Sequence, residues 1–169
     1  DQALLKTSIE ASHKQIIYLA SMLNDLSTLS RAERGKLELN PEPINPRDVL
    51  HSLFEDYKSE AESKGLALNI TIGKTTPEEI VSNKLYMREV LQNFITNSLK
   101  YTPSGSVTLS VEKKAGGVLY KVADTGIGIS KSDQKKVFDK FFRSEDYRTR
   151  ESSGTGLGLY VTMKLCKLL

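Results

Sequence analysis

Val118-Leu119-Tyr120-Lys121-Val122-Ala123-Asp124-Thr125-Gly126-Ile127-Gly128-Ile129 reads as a strand that ends in a carboxylate and runs into two glycines at alternate positions. Gly116-Gly117 just before it is a hairpin turn, so Val118 to Ala123 returns against a strand carrying Val107, Leu109 and Val111 on one side. Pro103-Ser104-Gly105 turns the chain into that earlier strand. Further back, Leu66-Ala67-Leu68-Asn69-Ile70-Thr71-Ile72 alternates, with its apolar side at 66, 68, 70 and 72. Helices fill the intervals. Asn45 or Asp48 caps one that runs to about Lys64, with Val49, Leu50, Leu53, Phe54 and Tyr57 on one face. Ser82 or Asn83 starts another, to about Tyr101, with Leu85, Val90, Leu91, Phe94, Ile95 and Leu99 inward. A helix from Ser132 to about Phe138 and a last one from about Gly156 complete the pass.

The beginning of the chain is of another kind. Residues 2 to 34 contain no Gly or Pro, and Leu5, Ile9, Ile16, Leu19, Leu23 and Leu26 recur in steps of three and four if Ser12 fills the gap. Ile17, Ala20, Met22 and Leu29 widen the seam. A helix of this length, ~45 Å, is expected to pack into a helical bundle with a second chain. The plainer alternative is a helix folded back on its own domain. Arg34-Gly35 ends it. Lys36-Leu37-Glu38-Leu39 alternates as a short strand, and Pro41, Pro43 and Pro46 keep residues 40 to 46 extended. The domain boundary is expected at about residue 35 to 40, dividing 1–35 from 36–169.

Composition narrows the function. The 169 residues hold 24 basic and 21 acidic side chains, and the net charge of +3 is too mild for a nucleic-acid binder. A single cysteine, Cys166, excludes a disulfide scaffold and a cysteine-rich metal site. It reads as a packed small apolar residue. No apolar run approaches the ~20 residues needed to cross a bilayer, and no secretory signal opens the chain. A cytoplasmic protein with no membrane contact through this segment is expected, whether or not its parent is anchored.

Three places carry chemistry. A carboxylate at a strand end, Asp124, can accept hydrogen bonds from an exocyclic amine such as adenine's, and glycines let a ligand approach the backbone. Taken alone, Asp124-Thr125-Gly126 is also an ordinary turn. Gly154-Thr155-Gly156-Leu157-Gly158-Leu159 leads into a helix and offers backbone N–H groups and the positive dipole end to an anion. No Gly-Lys-Ser/Thr follows it, so it is not a Walker loop, and no strand leads into it as in a dinucleotide fingerprint. Asn93 and Asn97 share a helix face, with Lys100 and Tyr101 just beyond. Amide oxygens suit magnesium shared with phosphates, although such a pair is also an ordinary solvent-facing feature.

Taken together, Asn-x3-Asn-x2-Lys-Tyr, then Asp-x-Gly-x-Gly, then Gly-x-Gly-x-Gly resembles the N, G1 and G2 boxes of the GHKL ATPases, and most closely the catalytic domain of sensor histidine kinases. Val137-Phe138-Asp139-Lys140-Phe141-Phe142-Arg143 resembles their F box, and Asn24 to Leu39 resembles the second helix of their dimerisation domain with its exit link. The resemblance implies an α+β fold: a two-layer α/β sandwich of Bergerat type, preceded by a long bundle-forming helix. It implies ATP and Mg²⁺ as cofactors. Asp124 would bind the adenine amino group, with Gly126, Gly128 and Ile129 shaping the pocket. Asn97 would ligate Mg²⁺, assisted by Asn93, and Lys100 and Tyr101 would reach the phosphates or the nucleotide edge. Gly154, Thr155, Gly156 and Gly158 would line the phosphate side, with Leu157 and Leu159 packed below. Residues from about Ser130 to Ser153 would form a lid whose Arg143 contacts the γ-phosphate. The plainer reading of Arg148 and Arg150 is a solvated charge run.

The implied activity is transfer of the ATP γ-phosphoryl to a histidine of a dimerisation domain, for relay to a response regulator. The whole protein would be a homodimer through its helical bundle. In hydrolysing relatives the residue four before the metal Asn is a Glu that activates water. Asn93 stands here and cannot act as a base, so slow hydrolysis is expected. Glu89, one turn further back, is expected to be too far away. The pattern also calls for an earlier helix carrying the phosphoacceptor His and for closing strands after Leu169. Neither occurs in this sequence, which reads as a kinase core cut at both ends. His13 and His51 match no acceptor and read as ordinary surface residues. A nucleotide-sensing or heterodimerising regulatory module is the alternative of a different class. A GHKL kinase or hydrolase outside two-component signalling is disfavoured by the F-box-like segment and the heptads.

Overall fold

A computed structural model describes residues 2–146 and 154–169. The elements in order are α1 (Gln2–Glu33), β1 (Glu42–Ile44), α2 (Pro46–Ser63), β2 (Leu66–Ile72), β3 (Ile80–Ser82), α3 (Lys84–Tyr101), β4 (Gly105–Lys114), β5 (Gly117–Asp124), a 3-10 turn (Asp133–Lys135) and α4 (Gly158–Cys166). Two units emerge. One comprises Asp1–Glu38 and Val137–Val161, the other Leu39–Lys136 and Thr162–Leu169.

The second unit is a two-layer α+β structure. Its sheet runs β2-β4-β5, with β2 parallel to β4 and β4 antiparallel to β5. Parallel neighbours need a long crossover, and the chain supplies it through β3 and α3. The register places Ile70 beside Leu109 and Leu109 beside Val122, so one sheet face is continuously apolar. Against it pack Val49, Leu50 and Leu53 of α2 and Leu91, Ile95 and Leu99 of α3. Each such buried aliphatic side chain contributes roughly 1.5–3 kcal/mol. Asn45 caps α2 by accepting from Arg47 N at 2.9 Å, and Asn83 caps α3 by accepting from Tyr86 N at 2.9 Å.

Several local expectations are corrected. Lys36 to Leu39 forms no strand. The pairing falls instead on β1, antiparallel to β3, with Pro43 opposite Val81. A two-stranded ribbon has edges on both sides, where a proline is tolerated. The expected helix at 132–138 shrinks to the 3-10 turn, because Lys131 to Lys136 offers no apolar face to bury. Leu85 is 67% exposed, and Tyr86 and Met87 take the inward positions of the first turn of α3. Cys166 is exposed at the end of α4 rather than packed.

In the first unit, α1 ends where Lys36 N donates to Arg31 O at 2.9 Å. Thr28 and Leu29 are buried, whereas Leu5, Ile9, Ile16, Leu19, Leu23 and Leu26 are all more than half exposed. Asp25 of α1 accepts from Thr155 Oγ1 at 3.1 Å, and Glu33 pairs with Lys140 at 2.8 Å.

Candidate nucleotide site

Asp124 follows Tyr120 and Val122 on the helix-facing side of β5, since alternate residues of a strand share a face. That places its carboxylate at the end of the sheet, against α3. Ser98 Oγ donates to Oδ2 at 3.0 Å, and Gly126 N donates to Oδ1 at 2.9 Å. Both oxygens are thereby oriented, and each keeps a second lone pair for a ligand. Asp124 stays exposed despite this support.

The glycine turn beyond Asp124 is fastened at two places. Thr125 N donates to Ser106 O and Ile127 N to Tyr101 O, both at 3.1 Å. Gly126 is required for close approach: a Cβ there would collide with the Tyr101 carbonyl oxygen and come within 2.9 Å of Asp124 Oδ1 and Thr102 Oγ1. Thr102 is itself 4% exposed, and its hydroxyl has no partner among the described residues. Ile129 lies exposed after the turn.

The two asparagines of α3 form a chain. Asn97 Nδ2 donates to Asn93 Oδ1 at 3.0 Å, and Asn93 Nδ2 donates to Thr162 Oγ1 of α4 at 2.9 Å. The Asn97 nitrogen is thus engaged, which leaves its oxygen as the amide atom available to a cation. Lys100 and Tyr101 follow at the end of α3, with the Lys100 ammonium 4.8 Å from the Tyr101 ring centroid.

The second glycine loop belongs to the other unit. Thr155 Oγ1 accepts from Leu157 N at 3.0 Å while donating to Asp25, and α4 begins at Gly158 with Leu157 buried before it. Gly154 precedes this loop and Leu159 lies in the first turn of α4, both partly covered. Gly156 has φ +69°, and a Cβ on it would meet the Phe141 backbone at 2.7 Å. Phe141 N in turn donates to Gly156 O at 3.0 Å, so the F-box-like segment is backbone-paired with this loop. Arg143 follows on the same segment, exposed. Arg148, Arg150 and the rest of 147–153 lie outside the described residues. Burial pushes the Asp25 carboxyl above its ordinary value, and the Thr155 hydrogen bond opposes this in part.

Sequence reasoning missed Ser98, Thr102, Thr162 and Asp25. A hydroxyl between Ile95 and Leu99 on an inward helix face was a usable signal for Ser98, because buried polar groups find partners. Thr162 and Asp25 carried none, since their partners lie 69 and 130 positions away.

Residues 82–169, more than half of the chain, match the family described as histidine kinase-, DNA gyrase B-, and HSP90-like ATPase. The chain is 32% identical over 152 residues to the signal transduction histidine-protein kinase BarA of Escherichia coli K12, covering 87% of this chain and 17% of BarA. It is 29% identical over 161 residues to the aerobic respiration control sensor protein ArcB of the same organism, covering 94% of this chain and 21% of ArcB. Among solved structures, full-length ShkA in complex with AMPPNP superposes with a TM-score of 0.78 at 28% identity, over 88% of this chain and 30% of that one. The chain spans about a fifth of the length of these curated relatives. A mixed sheet under two helices, a carboxylate anchored at its end and these matches lead to one assignment: the chain belongs to the histidine kinase-, DNA gyrase B- and HSP90-like ATPase family.

Proposed function

We propose that the chain binds Mg-ATP and serves as the catalytic core for phosphoryl transfer to a histidine on the dimerisation domain of its whole protein, for relay to a response-regulator receiver domain. The observation that carries the reading is the Asp124 carboxylate, held by Ser98 and the Gly126 N–H beside a backbone with no room for a Cβ. The residues fit a purine nucleotide. Asp124 offers acceptors to an exocyclic amine, and the buried Thr102 hydroxyl beside Gly126 supplies a further polar contact.

ATP would supply the phosphoryl group, and Mg²⁺ would neutralise its charge. Asn97 would hold the cation through its amide oxygen, with Asn93 fixing that amide. Lys100 and Tyr101, at the end of α3, would reach the phosphates or the nucleotide edge. Backbone N–H groups of Gly154, Gly156 and Gly158 at the start of α4 suit anionic oxygens, and Arg143 supplies a charge suited to the γ-phosphate. Asn93 cannot take a proton from water near neutral pH, which favours transfer over hydrolysis. Residues 1–35 act as the second dimerisation helix and 36–169 as the ATP-binding domain. The exposed seam from Leu5 to Leu26 supports homodimer formation by that helix.

Supplying the phosphoacceptor helix in trans with labelled ATP tests the reading. Label on its histidine is the expected result. Tight ATP binding without transfer would establish the nucleotide-sensing regulatory module instead.

A further inference from the structure

Beyond the metal role of Asn97, on which this inference rests, the structure joins that residue to a helix far along the chain. Asn97 Nδ2 meets Asn93 Oδ1 at 3.0 Å, and Asn93 Nδ2 meets Thr162 Oγ1 at 2.9 Å. Thr162 is 2% exposed, so its hydroxyl has no water to fall back on. Cations take amide oxygens, never amide nitrogens. When Asn97 gives its oxygen to a cation, its NH₂ must find an acceptor. Asn93 must then turn its own oxygen toward Asn97, which sends the Asn93 NH₂ toward α4. Only an acceptor there completes the sequence, and Thr162 Oγ1 is that acceptor.

We propose that Thr162 is a positioning residue for the metal site: it anchors the amide relay that presents the Asn97 oxygen to Mg²⁺. The base is assigned to Asp124, outside this relay, so Thr162 is expected to govern the magnesium dependence of binding and not the base preference. A hydroxyl is required, because an isosteric methyl would leave the Asn93 NH₂ without an acceptor and let both amides turn.

The test is calorimetric titration of the chain with ATP, in MgCl₂ and in EDTA, for wild type, Thr162→Val, Thr162→Ser, Asn93→Ala and Asn97→Ala. The Mg²⁺-promoted gain in affinity is expected to fall about tenfold in Thr162→Val, with affinity in EDTA unchanged. Thr162→Ser restores it, which a merely structural role for the side chain would not predict. Asn93→Ala breaks the same relay at its middle, and its loss of the Mg²⁺-promoted gain is the readout if Thr162→Val does not fold. A wild-type magnesium dependence in Thr162→Val and Asn93→Ala, with loss in Asn97→Ala, overturns the relay and leaves the metal ligand standing. A wild-type magnesium dependence in Asn97→Ala overturns the ligand assignment and the relay with it.

Discussion

Ser98 on α3 donates its hydroxyl hydrogen to Oδ2 of Asp124 at the end of β5, across 3.0 Å. The bond fixes one carboxylate oxygen while the Gly126 N–H fixes the other. Removing it frees the carboxylate to rotate about one remaining anchor. Ser98→Ala is expected to weaken ATP binding about fivefold, in keeping with ~1 kcal/mol for a hydrogen bond. Inosine triphosphate has no exocyclic amine, and its binding should change little. Asp124→Asn should abolish the preference for ATP over inosine triphosphate. Competition titrations of both nucleotides against the two variants provide the measurement.

Gly126 and Gly117 make a matched pair. A Cβ on Gly126 meets the Tyr101 carbonyl, Asp124 and Thr102, whereas one on Gly117 meets nothing within 4 Å among the described residues. Gly126→Ala is expected to cost about 1–3 kcal/mol in stability through forced backbone movement, and to impair nucleotide binding. Gly117→Ala should leave both close to wild type. Urea unfolding followed by ATP titration separates the two variants.

The Asp25 carboxyl is raised above its ordinary 3.8 because burial outweighs the Thr155 hydrogen bond. The folded chain therefore holds that proton more tightly than the unfolded chain does. Stability linked to Asp25 is present at low pH and lost as pH rises through the raised folded value. Asp25→Asn keeps an acceptor for Thr155 without a charge to desolvate. Its melting temperature should exceed that of wild type at about pH 7, and the advantage should vanish below about pH 4. Thermal melts of both proteins across this range decide the matter.

Leu23 is 68% exposed and Ile16 64%, and both lie on the apolar seam of α1. Burying such side chains against a second helix releases roughly 1.5–3 kcal/mol each. The chain is expected to self-associate in a concentration-dependent way, and Ile16→Glu with Leu23→Glu should leave it monomeric. Nucleotide binding by the double variant should be unchanged. Sedimentation equilibrium at several concentrations is the check.

Much of the fold was legible because periodicity reports burial directly. The alternation at Leu66 to Ile72 and at Val107, Leu109 and Val111 gave strands whose apolar faces come into register. The caps at Asn45 and Asn83 marked two helix starts. The reading failed where a segment had no apolar face of its own. The polar run before Phe138 forms one 3-10 turn, and a strand through Pro43 has no alternation to betray it.

The site divides along the same line. Sequence alone singled out Asp124, Gly126, Asn93 and Asn97 as candidates for the chemistry, because they stand at spacings set by one strand, one turn and one helix. Tertiary structure alone decided what holds them. A serine or threonine hydroxyl pairs with almost any polar neighbour, so its own position says little about its partner. Only the packing of α3 and α4 brings Thr162 to Asn93, and only the β4–β5 pairing brings Asp124 to Ser98. Local spacing is written in the chain, whereas contacts across long separations exist only once the core has closed around them.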